Sequence, residues 1–192
     1  MKIGILGGTF NPVHNGHISI AEQVKEKLSL DKIIFVPSFI PPHKQNENIA
    51  SADDRINMVK LALANSENLE VSAIEVDREG VSYTIDTLKQ IKAFYNEEDE
   101  IFFIIGSDNV KEFETWRKPE EIVKVANIVV VQRPGSEDLN IEFNGFIFVD
   151  TDPCSISAKN LRNKMKKGLS IAGELPDKVL QYITKKSLYV NE

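Results

Sequence analysis

The stretch KIGILGGTFNPVHNGH, Lys2 to His17, decides how the rest of the chain is read. Its apolar run at residues 3–6 is short and has two isoleucines, as a buried strand requires. Gly7 and Gly8 end that run, and from His14 onward the apolar spacing changes period. His14, His17, Ala21, Val24 and Leu28 fall at helical intervals, which sets both imidazoles on one stripe at the start of a helix. Strand, glycine turn, helix is the opening of a parallel α/β unit. Glycine at such a turn lets backbone approach a ligand closely, and the helix start presents N–H groups to an anion. The spacing matches neither G-x-G-x-x-G nor G-x-x-x-x-G-K-[ST].

Working outward, further strand-like runs occupy residues 33–36, 69–76, 101–105, 128–131 and 146–149. Helical stripes lie between them. Ile56, Val59 and Leu63 follow a capping box at Ser51-x-x-Asp54, and Ile85, Leu88 and Ile91 follow Ser82 or Thr84. This alternation predicts an α/β fold, a doubly wound Rossmann-like parallel sheet with helices on both faces. After Asp150 the pattern turns helical, at residues 158–167 and 176–185, with Pro176 suited to a first helical position. The expectation is a single domain over residues 1–192 with a C-terminal helical appendage from about 155 to 192.

The chain has 192 residues, enough for one sizeable core. Its net charge of −6 argues against a nucleic-acid groove, and no apolar run is long enough to read as a membrane span. The single cysteine, Cys154, excludes an internal disulfide framework and fits a cytoplasmic setting. The expected partner is therefore small.

In a doubly wound sheet, ligands sit beyond the carboxyl ends of the strands. All three histidines fall there: His14 and His17 after the first strand, and His43 in "VPSFIPPHK" beside Lys44, a point charge suited to phosphate. Gly106 and Asp108 follow the fourth strand in "IIGSDN", where a ribose hydroxyl is within reach of a carboxylate. Trp116 offers an aromatic plate, "SYTIDT" offers hydroxyls at a helix start, and "SISAKNLRNKMKK" opens a basic helix with Ser157. In that helix Lys159, Arg162 and Lys166 share one face, opposite Leu161, Met165 and Leu169. Taken singly, each has a plainer reading: a turn, a packed or capping histidine, a capping aspartate at 108, a core tryptophan, a solvated basic face. A metal set of His14, His17, His43 and Cys154 also stays open, although helical zinc pairs more often use i, i+4 spacing. A polyphosphate cradle uses the most of these residues at once.

"GGTFNPVHNGH" together with "ISAKNLR" resembles the HxGH nucleotidylyltransferase superfamily. "PPHK", "SYTIDT", "IIGSDN", "TW" and "QRPG", with the closing "LPDKVLQYITKKSLY", resemble the bacterial nicotinate-nucleotide adenylyltransferases, in order and over essentially the whole chain. The resemblance implies adenylyl transfer from ATP to nicotinate mononucleotide in NAD biosynthesis, giving deamido-NAD and pyrophosphate without a covalent intermediate. Mg²⁺ would enter held by the ATP phosphates, with no protein metal site, and a homodimer is the family's pattern. By the same resemblance His14, His17, Lys44 and Arg162 carry the catalytic charge. Gly7, Gly8, Thr9, Phe10 and Gly16 belong to the first phosphate motif, Ile156 and Ser157 to the second. Gly106, Asp108 and Arg133 surround the adenosine, and Tyr83, Thr84 and Trp116, with Lys44, take the nicotinate mononucleotide. Asn11 stands where the family more often has Asp, and Ala158 and Lys159 replace Ser and Thr of the second motif. Competing expectations are another HxGH enzyme, such as a phosphopantetheine adenylyltransferase, and a non-catalytic nucleotide-binding module.

Overall fold

A computed structural model describes residues 1–40, 49–132 and 145–190. The expectations at His43, Lys44 and Arg133 lie outside the described residues. Element order is β1 (Lys2–Gly8), α1 (Asn15–Lys27), β2 (Lys32–Pro37), α2 (Ala52–Leu63), β3 (Leu69–Val71), α3 (Ile74–Arg78) and α4 (Thr84–Lys92). It continues with β4 (Glu100–Gly106), α5 (Pro119–Val125), β5 (Asn127–Gln132), β6 (Phe146–Asp150), α6 (Ala158–Lys166) and α7 (Asp177–Lys186).

The strands form one parallel sheet in the order β3-β2-β1-β4-β5-β6. Alternate residues of each central strand point to opposite faces, and both faces are covered, which is why the runs read as continuously apolar. Ile33, Phe35, Ile104 and Val129 join one buried cluster with Ala21 and Val24 of α1 and Met58 and Val59 of α2. Ile34, Val36, Ile5 and Phe103 join the other, with Ile85 and Leu88 of α4 and Ile122 of α5. Gly4 is set by this packing: a Cβ there would lie 2.7 Å from Ile33 Cγ1 and 3.0 Å from Leu30 Cδ1.

Several local expectations are corrected. The run at residues 69–76 is not one strand. β3 is an edge strand paired only over Leu69–Val71, and the Ser72 hydroxyl then accepts from the Ile74 N–H (3.3 Å), turning the chain into α3. His14 is the N-cap of α1, with extended backbone, rather than a residue of the helix. Tyr83 caps α4 and Thr84 is its first helical residue, so Thr84 opens it and Ser82 does not, and Pro176 is the N-cap of α7, one residue before the first helical position. Leu169 lies past the end of α6 and is exposed. Asp108 is no cap either; it sits inside a 3₁₀ turn, Ser107–Asn109. The C-terminal helices are built into the core: Leu161, Val179, Ile183 and Tyr189 belong to the same cluster as Phe35. No helix among the described residues is long and apolar enough to cross a membrane.

Candidate active site

Strand order reverses between β1 and β4, whose connections leave the sheet in opposite directions, and the crevice beyond their carboxyl ends is where this topology binds ligands. A cavity of about 340 Å³ opens there. Gly7, Gly8 and Thr9 line it at the end of β1 and Gly106, Asp108 and Asn109 at the end of β4, and Thr84, Thr87 and Trp116 line it as well. A smaller cavity of about 110 Å³ adjoins it, lined by His14, Gly16, Cys154, Ile156 and Ser157. His17 lines both. Of the expected residues, Gly7, Gly8, Thr9, Gly106, Asp108, Thr84 and Trp116 line the larger cavity, and His14, Gly16, Ile156 and Ser157 line the smaller.

The histidine pair is held by local geometry. The rings stack at 3.7 Å between centroids with 26° between planes, and the His14 N–H donates to His17 Nδ1 at 3.2 Å. Phe10 meets the His17 ring edge-on at 5.1 Å and is itself backed by Phe35. To reach that position Phe10 adopts φ 48°, the left-handed region. A Cβ on Gly8 would approach the Phe10 ring at 3.0 Å, so the second glycine clears space for the ring as well as for ligand. Gly16 has a comparable constraint, since a Cβ there would lie 2.5 Å from Cys154 Sγ. Across the small cavity Ser157 caps α6, its hydroxyl accepting from the Asn160 N–H at 3.2 Å, so a helix N-terminus faces the histidines.

Not every expected residue reaches a cavity wall. Phe10 is buried behind the histidines. Tyr83 lies under the Arg117 guanidinium, 4.5 Å from its ring centroid, and is not among the lining residues. Arg162 Nη1 donates to the Asn11 carbonyl at 2.7 Å, holding the loop that carries the histidines. Lys159 is exposed and does not line either cavity. Trp116 is half-buried, packed on Phe113 (5.3 Å) and Phe103 (6.2 Å), with one side on the cavity. Its packing in the core thus leaves one side on the cavity.

The buried charges of Arg55 and Glu75 escaped the sequence reading. Arg55, on α2 and 1% exposed, donates from Nε to the Ala50 carbonyl (3.0 Å), from Nη1 to Thr9 (2.9 Å) and from Nη2 to Phe39 (3.1 Å). Burial lowers its pKa from the usual arginine value, but a guanidinium starts too high to lose its proton. Glu75, on α3, lines the larger cavity; burial raises its pKa, opposed by hydrogen bonds from Thr87 and Ser82. Arg55 was legible by phase, since it shares the buried α2 face with Val59 and Leu63 at i+4 and i+8. Glu75 was not, because its partners Thr87 and Arg78 meet it only once residues 74–78 are helical, where a strand was expected.

A cytidylyltransferase-like family model matches residues 5–164, which span both glycine-bearing strand ends and most of α6. A Dictyoglomus thermophilum protein named "Probable nicotinate-nucleotide adenylyltransferase" is 39% identical, over 99% of this chain and 100% of its own. A Borrelia turicatae protein of the same name is 41% identical, over 99% and 98%. The chain belongs to the nicotinate-nucleotide adenylyltransferase family. A Plasmodium falciparum nicotinic acid mononucleotide adenylyltransferase, solved in complex with NaAD, superposes with a TM-score of 0.78 at 19% identity, covering 98% of this chain and 97% of that one. A Vibrio parahaemolyticus structure described as a putative nicotinate-nucleotide adenylyltransferase gives 0.71 at 22%, over 100% and 96%. At those identities the two structures establish the shared α/β fold. The family's motifs therefore rest on a sheet whose switch point coincides with the cavity pair.

Proposed function

We propose that this protein transfers the adenylyl group of ATP to the phosphate of nicotinate mononucleotide, forming deamido-NAD and pyrophosphate. One observation carries the reading: His17 lines both a small cavity with Ser157 at a helix N-terminus and a larger cavity with Trp116 and Thr84. The first suits phosphates and the second suits a nucleoside with a flat heterocycle.

The nucleophile is a phosphate monoester, largely ionised at neutral pH, so no general base is required. Its oxygen attacks the α-phosphorus in line, and the bond to the bridging oxygen of pyrophosphate breaks. His14 and His17 donate to the transferring and leaving phosphates, and the α6 N-terminus with Ser157 faces the same charge. Lys44 and Arg162 are assigned the remaining positive charge, Gly106, Asp108 and Arg133 the adenosine, and Tyr83, Thr84 and Trp116 the pyridine nucleotide. Mg²⁺ enters as part of the ATP substrate, coordinated by its phosphates. Substrates of this size and charge suit a cytoplasmic enzyme, and a homodimer completes the reading.

Purified protein given ATP, Mg²⁺ and nicotinate mononucleotide is expected to form deamido-NAD and pyrophosphate in equal amounts, measured by mass spectrometry and a coupled phosphate assay. Phosphopantetheine in place of the mononucleotide is expected to give no product. His17→Ala is expected to lower kcat by about 10²–10³, the usual loss when one preorganised donor is removed, with its melting temperature unchanged. Near-normal turnover in that variant contradicts the assigned role.

A further inference from the structure

We propose that Glu75 is a positioning residue for the acceptor nucleotide: it holds Thr87 so that the N-terminus of α4 is set beside Trp116 in the cavity. This rests on the reading above, that Thr84 and Trp116 receive nicotinate mononucleotide. A carboxylate 93% removed from solvent is costly unless its oxygens are met by donors. Arg78 Nη2 donates to Thr87 Oγ1 at 3.0 Å, and the Thr87 hydroxyl lies 2.6 Å from Glu75 Oε1 and 3.3 Å from the Tyr83 carbonyl, so the carboxylate is its nearer acceptor. The neighbouring Ser82 Oγ is held by the Phe39 N–H at 3.0 Å.

The consequence is geometric. Glu75 ties α3 to the first turn of α4 through Thr87. The segment entering α4 is fastened beyond β2, where the Ser82 N–H donates to the Ile40 carbonyl at 3.1 Å. Ser82, Thr84, Thr87 and Glu75 all line the larger cavity, so this part of the cavity is built on the hub. The donor end of the site, at Gly7 to Thr9 and the histidines, has no bond to Glu75 among the described residues. Loss of the hub should therefore weaken one substrate and spare the other.

The test is steady-state kinetics with each substrate varied in turn, on Glu75→Ala, Glu75→Gln and Thr87→Val, with circular dichroism and thermal melting alongside. Glu75→Ala is expected to raise KM for nicotinate mononucleotide about tenfold or more, while KM for ATP stays within about twofold, the pattern of a lost interaction specific to one substrate. Glu75→Gln keeps an accepting oxygen and should fall between wild type and Ala. Thr87→Val removes one donor with nearly constant volume and should shift the same KM in the same direction. It carries the test should Glu75→Ala fail to fold. Equal rises in both KM values, an unchanged KM for the mononucleotide, or a Gln variant as impaired as Ala would each overturn the proposal. Wild-type protein that makes no deamido-NAD would overturn the functional reading with it; active wild type beside unaffected variants overturns this inference alone.

Discussion

Asn11 shows what one residue does when two motifs share it. Its Oδ1 accepts from the Tyr189 hydroxyl at 2.7 Å and from the Ala50 N–H at 3.1 Å, while its carbonyl accepts from Arg162. Tyr189 and Ala50 both act as donors to the side-chain oxygen, so an amide oxygen serves where the family more often places a carboxylate, and no charge has to be buried. None of this was legible, because the partners lie 39 and 178 residues away in the chain. The histidines were legible, since their stripe needs only helical phase, yet His14 proved to be the cap because its extended backbone precedes the helix. Tyr189→Phe should remove one buried hydrogen bond and lower stability by about 1 kcal/mol. A denaturant melt with unchanged slope and a lower midpoint is the expected result.

At the scale of elements, caps and close approaches set the site. α2 begins as its sequence requires: the Asp54 N–H donates to Ser51 Oγ at 3.1 Å, and the Ser51 hydroxyl donates to Asp54 Oδ2 at 2.7 Å. α7 docks on the same carboxylate, with the Tyr182 hydroxyl 2.7 Å from Asp54 Oδ1 and Lys186 Nζ 3.6 Å away. The Ser51 hydroxyl, then that of Tyr182, holds the Asp54 pKa below the usual aspartate value. A carboxyl whose folded pKa is depressed contributes stability above its unfolded pKa, near 4, and loses it as pH falls through the folded value. Asp54→Asn should therefore melt below wild type at pH 7, with the gap narrowing below about pH 4. A constant gap would place the effect in packing alone.

The start of α1 offers a second test. Gly16→Ala would push a methyl against Cys154 Sγ, and the kcat/KM for ATP should fall about tenfold as the histidines shift. Cys154→Ala in the same chain should restore most of that loss, a coupling read from the double-mutant cycle. The spacing of His14, Gly16 and His17 was plain in the sequence, whereas the sulfur opposite Gly16 comes from the far end of the chain. The same limit hid α3: an edge strand needs only three paired residues, and the apolar run past Val71 belongs to a helix that no period of two reveals.

For the whole molecule, alternation of buried strands and helical stripes predicted the sheet, and the order β3-β2-β1-β4-β5-β6 places its switch point at the two glycine-bearing strand ends. The C-terminal helices read as an appendage because their own pattern carries no record of what they cover. Leu161, Val179 and Tyr189 pack into one face of the core, and Arg162 of α6 donates to the Asn11 carbonyl in the loop before the histidines. In the proposed function the two cavities divide the labour, one for phosphates beside the histidines and one for nucleosides beside Trp116. In that reading the backbone N–H groups at the start of α4 favour an anionic carboxylate over a neutral amide. The most direct test is kcat/KM for nicotinate mononucleotide against nicotinamide mononucleotide at fixed ATP and Mg²⁺. The account predicts pyrophosphate release with both substrates measurable and the acid preferred by about tenfold or more. Preference for the amide, or no pyrophosphate with either, would contradict it.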